Sequence, residues 1–465
     1  MSGRQLFLDT RQITRMERLQ RRVHQPRRHA DNPVLRGEND WEALASLYGT
    51  VLYDVVQKRF QMWYLTGPGR PGMVQVRGRQ ALGNITLLGY ATSTDGVHWE
   101  KPVLNQVDFE GSTANNLIDI GRTNCEGMAV LYDEADPDPG RRYKGFYWEH
   151  GGIDTFITWE DGRLLWGEGE GDGMWMSFSP DGVHWSNCPT NPVIGLGSDT
   201  TQSLLRDPAT GQYAAYGRFG AGGRKVARAT SADAVQFEAP KLVFECDEVD
   251  EEGTQFYGMP LALYEGIYIG MPWIYREGVD GTIDTSLATS RDGVQWERVL
   301  DRQTFLSLGE AGSWEDGMVR ITQNFNIVGD EIYLYYGGVQ GPHTGRKFKT
   351  VERRTSSMLG LAVLRRDGFV SVDAGDDEGF MLTKPLTVDG ASLHANAAPQ
   401  TGGWVWAVVT DEEGVPLEGY ASQKLEVDKV DAELIFARPL AELAGRTVRL
   451  RWEMQRAGLF SYWFV

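Results

Sequence analysis

A short phrase that recurs along the chain constrains the fold more than any other sequence feature. It reads ATSTDGVHWE at residues 91–100 and returns as SFSPDGVHWS, ATSADAVQFE and ATSRDGVQWE. The aspartates of these copies are Asp95, Asp181, Asp233 and Asp292. A more divergent fifth copy, LAVLRRDGFVSV, contains Asp367. The intervals are irregular, but each is long enough for a four-stranded unit.

A second pattern precedes each copy and predicts a β-hairpin. Aromatic and β-branched residues alternate with other types on both sides of a turn rich in Asp, Gly and Pro. The occurrences are TVLYDVVQKRFQMWYL, MAVLYDEADPDPGRRYKGFYW, SLLRDPATGQYAAYGR, LALYEGIYIGMPW and NIVGDEIYLYYGG. Each hairpin, followed by two strands around the D-G turn, makes a unit of four antiparallel strands. Five such units predict a five-bladed β-propeller, whose closure leaves few exposed sheet edges.

The recurring phrase has a structural explanation. Its Asp can accept hydrogen bonds from nearby backbone amides, its Gly can adopt the positive φ of the turn, and its Trp can pack between blades. We therefore leave His98 and His184, which belong to the phrase, out of the candidate site.

Changes in this pattern divide the chain into three predicted regions. An arginine-rich N-terminal extension covers 1–32 and is expected to pack across blade or domain surfaces, and the propeller covers 33–375. Residues 376–465 contain six or seven alternating segments, such as GWVWAVVT and RTVRLRWEM, without the phrase. Alternation over such lengths predicts a small antiparallel β-sandwich.

Composition and charge exclude several classes of partner. Of the 465 residues, 41% are hydrophobic and 24% are charged, which is typical of a packed globular protein. The formal charge of −18 argues against nucleic acid and against anionic membranes. No apolar run is long enough to span a bilayer, and the N-terminus lacks the apolar core of a signal peptide, so a cytoplasmic protein is expected.

Cysteine usage predicts neither a disulfide framework nor a zinc site, because Cys125, Cys188 and Cys246 are few and scattered. No phosphate-cradling loop is present either. GEGEGDG at 167–173 alternates glycine with acids, which would repel phosphate, and it is interpreted as a loop or a weak cation site. The sequence predicts no required cofactor, and it leaves homo-oligomer formation open.

The phrases ATSTDGVHWE and ATSRDGVQWE resemble the A-x-S-x-D-x-x-x-W phrase of glycoside hydrolase families 32, 43, 68 and 130. These families are five-bladed propeller enzymes, and family 32 members carry a C-terminal β-sandwich, so the layout is similar over nearly the whole chain. LFLDTRQI, NPVL and DWE resemble uncharacterised bacterial proteins grouped with the family 32 N-terminal domain. The resemblance implies a carbohydrate-active enzyme, and family 43 leaves open a divalent cation on the propeller axis.

Cleavage of a glycosidic bond usually needs two carboxyl groups that flank the bond. In such propellers the substrate lies over the central axis, so catalytic side chains are expected at the starts of the innermost strands. Blade one offers Ser46 to Tyr48 there, and the other blades offer Glu126, Asp199, Gln255 with Tyr257, and Glu315 with Asp316.

Compared with family 32, the match at these positions is partial. Asp199 falls where the middle aspartate of the family's R-D-P motif lies, which stabilises the transition state. The nucleophile position falls near Ser46, and the acid position falls near Tyr257, so neither carries a carboxylate. The RDP at Arg206–Pro208 is interpreted as a hairpin turn, because Asp-Pro is common in turns.

Further candidate substrate-binding residues come from the second strand of each blade, which should return to the same face. They are Glu149, His150, Arg218, Trp273, Arg276 and His343, with Asp40 and Glu42 near blade one. Either histidine could assist proton transfer or bind a hydroxyl. Trp273 and Trp63 are candidate platforms for a sugar ring, with packing between blades as the alternative.

These observations predict a glycosidase of the family 32/43 type that releases terminal sugar units, with furanosides as one option, from a small oligosaccharide. Its expected catalytic groups are Asp199, Glu126, Glu315 and Asp316. Acids gathered at one mouth raise one another's pKa, which supplies a protonated general acid. One alternative is a glycan-binding protein without activity. Another is a phosphorylase or lyase on the same scaffold. A phosphorylase would bind phosphate through a cluster of cations, for which the candidates are Arg218, Arg276, Arg320 and His343.

Overall fold

A computed structural model describes residues 3–70, 72–83, 85–122, 124–149, 158–160, 163–165, 172–220, 223–343 and 357–465. Nearly all regular structure in these residues is β-strand. The helical elements among them are the short 3₁₀ turns Pro139–Arg141, Leu300–Arg302 and Leu440–Leu443. None of the described helices is long and apolar enough to cross a lipid bilayer.

Antiparallel sheets follow one another along the chain, each built from consecutive strands. The first sheet contains Leu44–Asp54, Arg59–Gly67 and Leu87–Ser93. The second contains Glu126–Tyr132, Tyr143–Glu149, Gly173–Ser179 and Ser186–Asn187. The third contains Ser203–Arg206, Tyr213–Gly217, Val226–Ser231 and Lys241–Phe244. Two inserted hairpins are Met73–Val76 with Arg79–Leu82 and Thr158–Glu160 with Arg163–Leu165.

The fourth group of strands is interrupted halfway along its length, so it forms two hydrogen-bonded pieces. One piece contains Thr254–Gly258, Trp273–Arg276, Ile283–Ser286 and Thr304–Leu306. The other contains Leu261–Tyr264, Ile267–Gly270, Ala288–Ser290 and Glu297–Arg298. The last group contains Met318–Ile321, Asn326–Val328, Glu331–Val339, Ser357–Arg365 and, at its outer edge, Arg27–Arg28.

The first strands of these groups contact one another around a common centre. Leu44–Asp54 contacts Glu126–Tyr132 on one side and Asn326–Val328 on the other. The Gln323 side chain, which is buried there, donates to Thr50 Oγ1 at 2.5 Å and accepts from the Leu204 N–H at 3.3 Å. Strands from distant parts of the chain therefore meet at one axis. The all-β, propeller-like arrangement predicted from the repeats is confirmed.

The recurring phrase forms the same turn in its first four copies. In the first, Asp95 Oδ1 accepts hydrogen bonds from the Val97 and His98 N–H groups at 2.8 Å and from Ser93 Oγ at 2.9 Å. The following residue, Gly96, has a φ of 78°. Equivalent bonds form around Asp181, Asp233 and Asp292.

Aromatic side chains of one sheet bind the D-G turn of the next. Trp63 Nε1 donates to Gly182 O at 2.7 Å, and Tyr216 Oη donates to Gly293 O at 2.9 Å. Tyr335 Oη from the last group donates to Gly96 O at 2.8 Å, which connects the end of the ring to its start. The phrase therefore contributes to packing between sheets.

Asp367, in the divergent fifth copy, has a different role from the one expected of the phrase. Its carboxylate is buried and accepts from Arg4 Nη1 at 2.8 Å, from Tyr264 Oη and from Ser461 Oγ at 2.6 Å. Arg365 stands where the other copies have serine, so the Ser–Asp bond of the turn cannot form. Asp367 instead ties the N-terminus, the propeller and the C-terminal strands together.

The C-terminal region forms one ten-stranded antiparallel sheet that includes strands from the N-terminus. Its centre is a pair of long strands, Leu393–Thr410 and Thr447–Phe464. The strands around this pair are Gln5–Leu6, Ile13–Glu17, Leu19–Val23, Val370–Ala374, Gly379–Thr383, Leu386–Thr387, Pro416–Ala421 and Lys429–Glu433. The N-terminal extension therefore pairs with the C-terminal region, and its Arg27–Arg28 strand continues into the propeller.

Candidate functional site

The carboxylates Asp199 and Glu126 lie close enough to interact electrostatically. Glu126 begins the strand Glu126–Tyr132, and Asp199 precedes the strand Ser203–Arg206. Arg218 forms an ion pair with Asp199, with 3.2 Å between Nη2 and Oδ2. Loss of water around Asp199 raises its pKa, the Glu126 charge raises it further, and Arg218 and Arg224 lower it only in part. Asp199 is therefore an acid that holds its proton more tightly than an ordinary aspartate.

Asp199 combines this raised pKa with an accessible side chain. As much as 67% of its side-chain surface is exposed to solvent. Neighbouring protein atoms displace part of the water around the carboxylate, while the exposed part of the side chain stays within reach of a small molecule. An accessible acid with a raised pKa is a candidate for proton transfer.

Three aromatic rings stack beside the two carboxylates. Trp273 lies between Tyr48 and Tyr257, with ring centroids 5.4 Å and 6.4 Å away and planes inclined by 25° in both cases. The Trp273 side chain is 0% exposed, and its Nε1 donates to Ile321 O at 2.9 Å. Trp63 is equally buried. Neither indole therefore has a face open to a sugar, and both pack inside the propeller, which was the alternative to the platform role.

Hydroxyl groups connect this stack to a histidine. His343, on the segment after Glu331–Val339, lies between two tyrosines, with Nε2 3.2 Å from Tyr257 Oη and Nδ1 3.3 Å from Tyr275 Oη. Burial raises the pKa of Tyr48 well above its usual value, and the neighbouring hydroxyl of Tyr257 and the Asp199 charge raise it further. Tyr48 thus remains a neutral hydrogen-bond donor near Asp199.

A cavity of about 880 Å³ opens beside Arg218. It is lined by Arg218, Gly223, Arg224, Lys225, Glu245, Cys246, Gly253, Thr254, Gln255, Glu277 and Gly278. Arg224 donates to Gln255 Oε1 at 2.6 Å, and Gln255 donates to Glu277 Oε2 at 2.5 Å. The Arg224 guanidinium also lies 5.4 Å from the Tyr257 ring centre. The candidate site therefore extends from Asp199 over Tyr257 into a cavity large enough for a small molecule.

The other acids predicted for the site have partners of their own. Glu315 is buried and accepts from Arg28 Nε of the N-terminal segment at 2.7 Å. Asp316 accepts the backbone N–H groups of Gly312 and Gly341 at 2.7 and 2.8 Å. These contacts give both carboxylates a structural role, and no contact of either with Asp199 is seen among the described residues.

The predicted sugar-binding residues of the first two sheets are similarly bound. Glu42 is fully buried and accepts from Tyr64 Oη at 2.5 Å and from Lys101 Nζ at 2.8 Å. Glu149 is also buried, 3.3 Å from Arg122 Nε, whereas Asp40 is exposed in a turn. His150 and most of the acidic loop 167–173 lie outside the described residues.

Arg276 and Arg206 occupy structural positions as well. Arg276 forms an ion pair with Asp284 at 2.9 Å. Arg206 pairs with Asp133 at 3.1 Å, and Asp207 accepts the Ala209 N–H at 2.8 Å. The RDP segment therefore lies in a hairpin turn. Among the described residues, no group of three or more His, Cys, Asp and Glu side chains could hold a metal ion.

Sequence reasoning missed several residues of this site. Arg224, Lys225 and Glu277 lie in loops, where strand alternation gives no signal. The glycine-rich GAGGRK around Arg224 was the available hint, because glycines beside a cation often mark a loop near a ligand. Tyr275 lies two residues beyond Trp273 on the same strand and faces the same side.

Comparison with known proteins bears on the fold. No protein-family profile matches the sequence, and a search of curated protein sequences returned no relative. The structure resembles a solved glycoside hydrolase with a TM-score of 0.50 and 13% identity, over 73% of this chain and 92% of that one. This similarity concerns the fold alone, and it agrees with the propeller-like arrangement.

Two further solved structures are weaker matches. One is a member of the GH130 family of mannoside phosphorylases, described as containing glycoside hydrolases that target β-1,2 mannosidic linkages in Candida mannan. It has a TM-score of 0.46 and 16% identity, over 74% of this chain and 94% of that one. The other is a family 43 arabinoxylan arabinofuranohydrolase from Bacillus subtilis in complex with cellotetraose. It has a TM-score of 0.42 and 12% identity, over 95% of this chain and 99% of that one.

Proposed function

We propose that this protein is a glycosidase on a five-bladed propeller that releases terminal sugar units from a small oligosaccharide. The observation that carries the proposal is the pair Asp199 and Glu126, in which burial and the Glu126 charge raise the pKa of Asp199. Glycoside hydrolysis needs two carboxyl groups with different roles, one that donates a proton and one that acts as base or nucleophile. The glycoside hydrolase fold of the solved structure with a TM-score of 0.50 supports the same class of enzyme.

In this mechanism Asp199 is the general acid. It donates its proton to the glycosidic oxygen as the bond to the anomeric carbon breaks, so that the leaving sugar departs as a neutral alcohol. Glu126 either removes a proton from the attacking water or attacks the anomeric carbon itself. The anomer that is released distinguishes these two roles, because direct attack by water inverts the configuration and a covalent intermediate retains it.

The surrounding residues position the substrate. Arg218 Nη2 lies 3.2 Å from Asp199 Oδ2 and orients the carboxyl group, and Tyr257 lies under the guanidinium groups of Arg218 and Arg224. The 880 Å³ cavity beyond Arg218 accommodates the leaving group. The sugar type, with furanosides as one option, and the cytoplasmic location remain predictions.

A screen of aryl glycosides and short fructo-, arabino-, xylo- and manno-oligosaccharides tests the proposal. Wild type is compared with Asp199→Asn and Glu126→Gln, each expected to lower kcat by about 10²–10⁴-fold. The matched controls are Asp376→Asn and Glu378→Gln, two exposed acids far along the chain, which should leave kcat unchanged. Full turnover by both folded site variants would contradict the proposal.

A glycan-binding protein without catalysis is the second candidate. The observation in its favour is that the family 32 nucleophile and acid positions fall near Ser46 and near Tyr257, which are not carboxylates. Calorimetry with the same sugars distinguishes the candidates, because binding without turnover supports this second function. Turnover that requires inorganic phosphate would instead support a phosphorylase.

A further inference from the structure

Arg320 is a buried cation without an acidic partner among the described residues. It lies on the strand Met318–Ile321 and is 5% exposed. Its Nη1 donates to Tyr48 Oη at 2.5 Å, and its Nη2 lies 3.5 Å from Ser46 Oγ. Both partners are neutral hydroxyl groups. The Nε atom is buried without a hydrogen-bond partner.

Other buried cations of the described chain are paired with carboxylates. Arg298, with 8% of its side chain exposed, lies 3.1 Å from Asp250. Lys144, which is fully buried, lies 2.7 Å from Asp136. A buried charge is costly unless an opposite charge and hydrogen bonds compensate for the lost water. Arg320 departs from this pattern, and that departure calls for an explanation.

Aromatic contacts compensate for part of this cost. The Arg320 guanidinium lies 4.7 Å from the centre of the Tyr48 ring and 5.7 Å from the centre of the Trp273 ring. Cation–π contacts of this kind are favourable, but they do not satisfy the Nε–Nη2 edge of the guanidinium. That edge has the planar geometry that binds both oxygens of a carboxylate.

Arg320 belongs to the same site as Asp199. Its hydrogen-bond partner Tyr48 stacks on Trp273 and lies within electrostatic range of Asp199. When Asp199 is protonated, as the proposed mechanism requires, Arg218 also lacks an opposite charge. The site then holds four cations, Arg218, Arg224, Lys225 and Arg320, against three acids, Glu126, Glu245 and Glu277, although the whole chain has a formal charge of −18.

We propose that the sugar recognised at this site is a uronic acid, whose carboxylate replaces Ser46 Oγ at Arg320 Nη2 and reaches the buried Nε once the Ser46 side chain turns aside. The Ser46 hydroxyl then donates to the carboxylate. This inference rests on the proposed function, because it names the substrate class of the same site. It predicts a preference for sugars that carry a carboxylate at C6 over the parent sugars with a hydroxymethyl group.

Calorimetric titration with glucuronic, galacturonic and mannuronic acids, each beside its neutral parent sugar, tests the inference without requiring turnover. We expect at least one acid to bind about ten-fold more tightly than its parent. Arg320→Met should remove that preference, and Arg320→Lys should restore part of it. Equal binding of every acid and its parent would overturn the inference.

Thermal unfolding without ligand separates binding from a purely structural role. Replacement of a buried charge that has no acidic partner by an apolar side chain leaves no uncompensated charge behind, so Arg320→Met should keep or raise the Tm. The control is Lys144→Met, which removes the cation 2.7 Å from the buried Asp136 and should lower the Tm. A large fall in Tm for Arg320→Met, with an unchanged uronic acid preference in the remaining folded protein, would overturn the inference.

Further outcomes of these measurements distinguish this inference from the proposed function and from phosphate binding. Hydrolysis of neutral glycosides, with no uronic acid bound or cleaved, would overturn the inference and leave the glycosidase intact. Uronic acid binding that needs Arg320, without hydrolysis of any glycoside, would support the inference and count against the glycosidase. Inorganic phosphate could instead raise the Tm of wild type but not of Arg320→Met, while uronic acids have no effect. That result would assign Arg320 to phosphate binding and overturn the inference.

Discussion

The aspartates of the outer turns and the aspartate of the candidate site show how the same side chain acquires opposite properties. Asp95 is partly desolvated, which raises its pKa, but hydrogen bonds from the His98 ring and from the Val97 and His98 N–H groups outweigh this and lower it. Asp199 loses water too, yet it has Arg218 as its ion-pair partner and Glu126 as a nearby like charge. Loss of water is the largest influence on the pKa of both carboxylates, and the donors around Asp95 outweigh it whereas those around Asp199 do not.

Replacing each of these two aspartates by asparagine should give opposite results. Asp199→Asn should lower kcat by about 10²–10⁴-fold, because the proton donor is lost, while the Tm stays the same or rises. Asp95→Asn should leave kcat unchanged and lower stability by about 1–2 kcal/mol, because a charged acceptor of several hydrogen bonds is lost. Steady-state kinetics and thermal unfolding check both variants. A lower kcat in a fully folded Asp95→Asn variant would contradict the distinction between a structural Asp95 and a catalytic Asp199.

Asp367 extends the comparison to a buried carboxylate that connects separate parts of the fold. Asp367→Ala should destabilise the protein by about 3–5 kcal/mol, because the buried Arg4 loses its partner at 2.8 Å and keeps only the exposed Asp431 at 3.9 Å. The double variant Arg4→Met with Asp367→Ala should recover part of this loss. Chemical denaturation measures both effects, and equal instability of the single and double variants would contradict the role assigned to the ion pair.

The two kinds of aspartate should also differ in how they make stability depend on pH. The lowered pKa of Asp95, Asp181, Asp233 and Asp292 contributes stability that is present above their unfolded value of about 4 and is lost as pH falls through the lowered values. The raised pKa of Asp199 has the opposite sign, so its ionisation costs stability as pH rises through that value.

Thermal unfolding between pH 3 and pH 8 measures this difference. The Tm of Asp199→Asn relative to wild type should increase as pH rises above about 4, because only wild type must ionise the carboxyl group in the folded state. Glu126→Gln should reduce this increase, because the Glu126 charge contributes to the raised pKa of Asp199. A Tm difference independent of pH would show that Asp199 has an ordinary pKa.

The smallest expected effects concern the residue after each turn aspartate. Ala234 adopts a φ of 60°, where its copies carry glycine, so Ala234→Gly should stabilise the protein by about 0.5–1 kcal/mol. Gly96→Ala should instead destabilise it by about 1–3 kcal/mol, because the new Cβ would lie 2.6 Å from Tyr335 Oη. Chemical denaturation measures both changes in the free energy of unfolding. If both variants were stabilised, or both destabilised, the two turns would not be equivalent.

Local sequence signals predicted much of the propeller and part of the site. The D-G turns and hairpins were predictable because each depends on residues close together in the chain. Asp199 and Glu126 were predictable because each precedes an inner strand. Glu315 precedes an inner strand as well, but Arg28, which comes from the other end of the chain, occupies its carboxylate. No local pattern indicates such a partner.

The sequence by itself determined the repeated turns and the antiparallel hairpins. Tertiary structure alone decided that the N-terminal strands pair with the C-terminal sheet and that Trp273 is buried. It also decided that Arg320 lies among neutral hydroxyl groups while Arg298 has an acid beside it. The physical reason is that turns form within a few residues, whereas burial, ion pairing and pKa values depend on side chains brought together from distant strands.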